Sequence, residues 1–135
     1  MESRLLNFRV IGDERGNLVS LEGSRNIPFD IKRVYYMYGM TPGIERGKHA
    51  HIHLKQVIVC VSGSCTFVLD DGKSREEIEL NKPDVGLYIG ENIWREMKNF
   101  SRDCVVIVLA SEYYDENEYI RDYEEFKKEV KCLAI

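Results

Sequence analysis

Gly43-Ile44-Glu45-Arg46-Gly47-Lys48-His49-Ala50-His51-Ile52-His53-Leu54-Lys55-Gln56 is the stretch on which the reading of this chain turns, because it holds all three of its histidines. Side chains of a β-strand alternate between two faces, so in a strand His49 and His51, with His53 next in the series, share one face, while Ala50 and Ile52 take the other. A row of imidazoles is either a solvated strand face or a set of acid–base or ligand groups. Three of three on one face is a concentration that favours the second reading. Gly43 and Gly47 fit a turn that lets another group approach the histidines closely.

Outward from this stretch, residues 5 to 110 carry apolar runs of about five to seven residues separated by Gly, Pro, Asn or Asp, the pattern of a small all-β sandwich or barrel. Strands are expected at 18–22, 31–38, 49–52, 56–62, 65–70, 76–80, 86–89, 93–97 and 104–110. Asp70-Asp71-Gly72 marks a tight hairpin, since Asp-Gly supplies the positive φ angles that such turns need, and Ser62-Gly63-Ser64 marks a second turn. The last segment reads differently. Tyr119, Tyr123, Phe126 and Val130 recur at helical spacing, Asp115 with Glu118 three residues on suits an N-terminal cap, and the late Lys127, Lys128 and Lys131 suit the helix dipole. The expectation is one domain over residues 1–135, with a barrel over about 5–111 and a short C-terminal α-helix over about 115–131.

The chain has 135 residues, enough for one core. Its formal charge of -4 is local: residues 112–131 hold eight acids and four bases, and the rest is balanced. The acids therefore belong to a solvated helix face. A nucleic-acid binder would carry a basic stripe instead. Four cysteines form no C-x-x-C pair, and Cys60, Cys65 and Cys104 lie in apolar runs, which points to a reduced, cytoplasmic protein. The opening MESRLLNFRV has no basic segment followed by a long apolar run, and no stretch approaches the roughly 18 apolar residues of a membrane span, so neither export nor a membrane anchor is expected.

The histidine stretch resembles the first motif of the cupin superfamily: Gly43, five residues, His49-Ala50-His51, four residues, Gln56, six residues, Gly63. The motif normally has Glu where Gln56 stands, and Arg95 occupies the place of the histidine that the second motif normally supplies. A cupin metal needs a carboxylate and a third imidazole, whereas this chain offers an amide and a protonated guanidinium that cannot ligate. No bound metal or other cofactor is expected, with His53 the one substitute ligand in view. Without a metal, the histidines are free for acid–base work near neutral pH. Arg15, Arg33, Arg46 and Arg95 lie near expected strand mouths, and their guanidinium forks suit phosphate or carboxylate oxygens. By strand parity Arg33 shares a face with Tyr35.

A wider set of stretches is similar to the dTDP-sugar 3,4-ketoisomerases, the WxcM-like family of metal-independent cupins. These are Asp13-Glu14-Arg15-Gly16-Asn17-Leu18, residues 26–36, Arg46 to His51, residues 85–90 with Trp94, and residues 109–116, spread over roughly residues 6–128. The resemblance implies a cupin jelly-roll barrel and an isomerase converting dTDP-4-keto-6-deoxy-D-glucose into its 3-keto isomer. That step leads toward deoxysugars of cell-surface glycans such as lipopolysaccharide and S-layer glycans. On this reading His49 is the base at C3, and His51 moves a proton to or from C4 or the sugar oxygens. Tyr35 and Arg95 steady the developing oxyanion, Arg15, Arg33 and Arg46 hold the diphosphate, and Trp94 or Tyr88 packs on a ring, with a place in the core as the competing reading for both aromatics. The resemblance also implies a homodimer with exchanged N-terminal strands, in which Arg15 serves the partner's site, and it leaves the configuration at C4 open. A dTDP-sugar 3,5-epimerase and a non-catalytic sugar-nucleotide-binding cupin are the alternatives.

Overall fold

Residues 1–133 are described in a computed structural model. Two five-stranded antiparallel sheets face each other. One runs β1 (Ser3–Asn7), β9 (Val85–Ile89), β6 (Gln56–Ser62), β11 (Val105–Ala110) and β4 (Arg33–Met37). The other runs β12 (Tyr119–Ile120), β5 (Arg46–His51), β10 (Trp94–Lys98), β7 (Cys65–Asp70) and β8 (Arg75–Leu80). A small hairpin, β2 (Ile11–Asp13) with β3 (Gly16–Leu18), stands beside them, and one helix, α1 (Tyr123–Leu133), follows. This is the expected all-β jelly-roll with a C-terminal helix.

Three apolar clusters hold these layers together. Between the sheets, Ile58 and Cys60 of β6 meet Phe67 and Leu69 of β7, Leu87 and Ile89 of β9, and Val106 and Val108 of β11. On the outer face of the first sheet, Val57, Val59, Tyr88 and Leu109 are covered by residues 19–31, chiefly Ile27 with Val19, Leu21 and Phe29. Strand β6 is thus buried on both faces, which is why its sequence runs apolar without alternation. On the outer face of the second sheet, Ala50, Trp94, Ile120 and Phe126 pack together with Tyr123 and Val130 of α1. Cys60, Cys65 and Cys104 are free thiols buried within the first of these clusters, with the Cys60 and Cys104 Sγ atoms 3.8 Å apart.

Several expected boundaries shift for identifiable reasons. Residues 19–22 are not a strand: the Asn26 side chain accepts from Glu22 N at 2.7 Å and donates to Ser20 O at 2.7 Å, occupying backbone groups that a ladder would use. Strand β1, which begins before the expected barrel, has a mixed burial pattern and so little alternation to read. The Asp70–Gly72 turn is a wider connection over 71–74, closed by Asp71 Oδ1 accepting from Lys73 N and Ser74 N, both at 2.8 Å. Asp115 does cap, but it caps a three-residue 3-10 turn, Glu116–Glu118. The chain then pairs with β5 as β12, and α1 starts only at Tyr123, with Asp122 Oδ1 accepting from Glu125 N at 3.1 Å. The expected helix is therefore shorter at its start, and Tyr119 leaves its face. No described helix is long and apolar enough to cross a membrane.

Candidate active site

A cleft of about 330 Å³ opens where β4, β5, β10 and the 114–121 segment meet. Arg33, Tyr35, Arg46, His49, Tyr119 and Arg121 line it, and a narrow recess beneath reaches Gln56 and Arg95. A larger groove of about 500 Å³ runs along α1, but lysines, Glu124, Val130 and the 71–73 turn line it, with no buried acid–base group. Chemistry belongs to the smaller cleft, where titratable groups converge.

His49 is aimed by a β-bulge. Arg95 pairs with His49 while Glu96 pairs with Gly47, so Lys48 is the extra residue, and both Gly47 (φ 86°) and Lys48 (φ 46°) adopt left-handed backbone. A Cβ on Gly47 would stand 3.3 Å from the Arg95 carbonyl in a conformation that side chains rarely adopt. The bulge brings the Gly47 carbonyl to 2.7 Å from His49 Nδ1. A carbonyl only accepts, so Nδ1 carries the proton of the neutral ring and Nε2 keeps its lone pair. Burial, reinforced by the Arg95 cation, pushes the His49 pKa down to about 4. At neutral pH His49 is thus an uncharged base.

His51 lies deeper. It is fully buried, neither ring nitrogen has a hydrogen-bond partner among the described residues, and its ring meets His49 edge-on at 4.7 Å. Burial first, then the Arg95 charge, pushes its pKa down strongly. Tyr119 of β12, directly opposite His51 in the ladder, closes this stack with centroids 4.4 Å from His51 and 5.0 Å from His49.

Both depressed values make the fold acid-sensitive. The unfolded His49 binds its proton near pH 6.5 and the folded one only near 4, so its contribution is fully present above pH 6.5 and is lost as pH falls through that window. Urea unfolding is expected to lose about 3 kcal/mol through His49 between pH 7 and pH 4. His51 adds in the same direction, and a flat profile over this range would contradict the burial argument.

Arg95 is buried in the recess, where one guanidinium nitrogen donates to Gln56 Oε1 at 2.5 Å and another to Ile93 O at 3.0 Å. Burial lowers its pKa to about 10, which leaves it charged at pH 7. A cupin metal would need donors at the positions of Gln56 and Arg95. Here the amide oxygen is engaged by a cation and the guanidinium has no lone pair to give, so the residues present do not fit a metal. His53, the substitute ligand in view, has left the row: β5 ends at His51, and the His53 side chain is exposed, 4.0 Å from Glu91.

At the mouth, the Arg33 guanidinium sits between the Tyr35 and Tyr114 rings, 5.2 and 5.7 Å from their centroids. Arg121 lies 4.4 Å over Tyr119 and is fixed by Glu116 Oε1 and Oε2 at 2.8 and 3.0 Å. That pairing, with the Tyr114 hydroxyl donating to the same carboxylate, holds Glu116 down at about 2.

The structure thus gathers His49, His51, Tyr35, Arg95, Arg33 and Arg46. It does not bring Trp94 or Arg15 to the cleft. Trp94 alternates with Arg95 along β10 and faces α1, packed on Tyr123 and Phe126 with its Nε1 donating to Glu96 at 2.8 Å. Arg15 is exposed on the β2–β3 hairpin and bonded to Asp13 at 2.6 Å. Tyr119 and Arg121 are cleft residues that the helix reading concealed, and Tyr114, just before the expected helix, is a third that was not singled out. The signal for Tyr119 and Arg121 was their two-residue alternation around the buried Ile120.

An antiparallel double sheet with imidazoles and arginines gathered at its mouth defines a cupin-type barrel with an acid–base site. Residues 1–131 match the family described as "WxcM-like, C-terminal". The chain belongs to that family. It is 54% identical over 135 residues, all of this chain and 97% of the relative, to the TDP-4-oxo-6-deoxy-alpha-D-glucose-3,4-oxoisomerase of Aneurinibacillus thermoaerophilus. A 3,4-ketoisomerase from Helicobacter canadensis superposes with a TM-score of 0.95 at 51% identity, covering 97% of this chain and 98% of that one. The sugar 3,4-ketoisomerase of Thermoanaerobacterium thermosaccharolyticum, solved in complex with TDP, gives a TM-score of 0.96 at 47% identity over 98% of this chain and 97% of that one.

Proposed function

We propose that this protein is a TDP-sugar 3,4-ketoisomerase that converts dTDP-4-keto-6-deoxy-D-glucose into the 3-keto isomer without a metal. The observation that carries the reading is the neutral His49, whose Nδ1 is tied to Gly47 so that Nε2 is the free base in the cleft. The C4 ketone acidifies the proton on C3, and His49 Nε2 takes it, giving an enediolate. Protonation at O4, loss of the O3 proton and delivery of the proton to C4 complete the exchange, so atoms balance with no outside oxidant. Tyr35 and the Arg95 cation stabilise the oxyanion as it forms. His51, packed behind His49, supports that ring. Arg33 and Arg46 hold the diphosphate, with Arg121 a third cation at the same mouth. The long identity with a TDP-sugar 3,4-oxoisomerase and the TDP bound in a similar structure support this substrate class.

The protein acts in the cytoplasm, in keeping with its free cysteines, and as a homodimer with exchanged N-terminal strands, which would bring Arg15 to the partner's cleft. The exposed apolar Val10, Ile11 and Leu18 on and beside the N-terminal hairpin support that assembly.

Turnover of the 4-keto sugar in deuterated water, followed by NMR, tests the reaction. A 3-keto product that a 3-aminotransferase accepts is expected, at full rate in EDTA. Label at C3 and C5 without ketone migration would indicate a 3,5-epimerase. An unaltered sugar would indicate a binding module, and complete loss in EDTA would overturn the metal-free mechanism.

A further inference from the structure

Gln56 stands where the cupin motif has a glutamate, and its contacts give the substitution a purpose. We infer that Gln56 is a positioning residue that fixes the Tyr35 hydroxyl as a hydrogen-bond donor into the cleft. The inference rests on the proposed reaction for its rate effect, though not for its geometry.

At the start of β6 Gln56 is 2% exposed, with both ends of its amide engaged. A nitrogen of Arg95 lies 2.5 Å from one end and the Tyr35 hydroxyl 3.1 Å from the other. An arginine has donors and no acceptor, so the amide oxygen must face Arg95. Nothing about the amide is then left to choose: its NH2 faces Tyr35 and donates to the phenol oxygen. The phenol has a single proton, and the side facing Gln56 is already taken by a donor. That proton therefore points away from Gln56, toward the space Tyr35 lines together with His49. Because Arg95 also donates to the Ile93 carbonyl at 3.0 Å, it is held in place, and the donor order Arg95, Gln56, Tyr35 runs in one direction only.

A glutamate at this position would reverse the last link. One carboxylate oxygen would still accept from Arg95, but the second would accept from Tyr35 and draw the phenol proton out of the cleft. Exchanging one NH2 for O⁻ thus removes a donor from the reacting centre while leaving the side chain's shape unchanged.

The test compares wild type, Gln56→Glu, Tyr35→Phe and the double variant in the full-length protein. With tyrosine labelled at ring carbon ζ, the NMR signal missing from Tyr35→Phe is that of Tyr35. In Gln56→Glu this signal is expected to titrate at higher pH than in wild type, because its partner has changed from donor to acceptor. This readout needs no turnover, so it stands even if the proposed reaction is wrong. On the 4-keto sugar, Gln56→Glu is expected to lower kcat about 10²-fold with KM within about threefold, the cost of one oxyanion donor. Combined with Tyr35→Phe it should add no further loss. An unchanged Tyr35 titration, or a double variant slower than Tyr35→Phe by the same factor again, would overturn the inference. If the carboxylate prevents folding, Gln56→Met also removes the amide donor at similar volume. The Tyr35 signal is then expected to move in the same direction, and its failure to move would again refute the role.

Discussion

His49→Asn is expected to lower kcat by about 10³- to 10⁴-fold while leaving TDP affinity within about threefold of wild type, a loss at the upper end of what a positioned general base contributes. Asparagine keeps an NH2 that can donate to the Gly47 carbonyl, so the bulge at Gly47 and Lys48 retains its closing hydrogen bond. What disappears is the Nε2 lone pair, the uncharged base that the proposed reaction uses at C3. The arginines at the mouth are untouched, so binding, read by calorimetry with TDP, should persist. Because the variant also deletes a group that must be neutral to stay buried, its urea stability should fall less steeply below pH 6.5 than that of wild type. Turnover within tenfold of wild type would transfer the base role away from His49. Loss of TDP binding together with turnover would make His49 a binding residue and return the non-catalytic reading to contention.

The parts of this molecule that were legible in the sequence are those where one face decides one residue. The apolar run at 56–62 was expected as a strand, and the structure covers it as β6 on one side by the opposite sheet and on the other by residues 19–31. His49 and His51 were legible because period two alone puts them together. Strand parity failed at the bulge and at the end of β5, where backbone hydrogen bonding rather than side-chain type sets direction, and so His53 dropped out. Trp94 was placed by motif position beside Arg95. Neighbours in a strand face opposite ways, and the apolar one went under α1. Tyr119 was hidden by a genuine coincidence of spacing: it lies at i–4 from Tyr123, yet it belongs to β12, and Ile120, Arg121 and the Asp122 cap intervene before α1 begins. Only long-range pairing with β5 distinguishes those two conformations, and a single sequence does not display it.

Arg95→Met carries the second large effect, and its sign separates function from stability. A buried guanidinium is costly to desolvate, and Arg95 has no carboxylate among its described hydrogen-bond partners; it meets an amide oxygen and a carbonyl. Methionine of similar length removes that cost and fills the space, although it leaves Gln56 Oε1 and Ile93 O without their donors, at about 1–3 kcal/mol each. These opposing terms are of like size, so urea stability is expected to stay within about 2 kcal/mol of wild type, against the 3–5 kcal/mol typical of breaking a buried ion pair. Turnover, in contrast, is expected to fall by about 10³-fold, because the variant removes a fixed positive charge from the place where the enediolate develops. A third observable connects the two. The Arg95 cation helps hold His49 near 4, so without it the His49 ring signals should titrate closer to 6.5 in NMR, while burial still keeps them below that value. A variant that loses 3 kcal/mol or more with turnover intact would make Arg95 a structural residue. A His49 titration that does not move would show that burial alone keeps the base neutral, and the guanidinium would then act on the substrate alone.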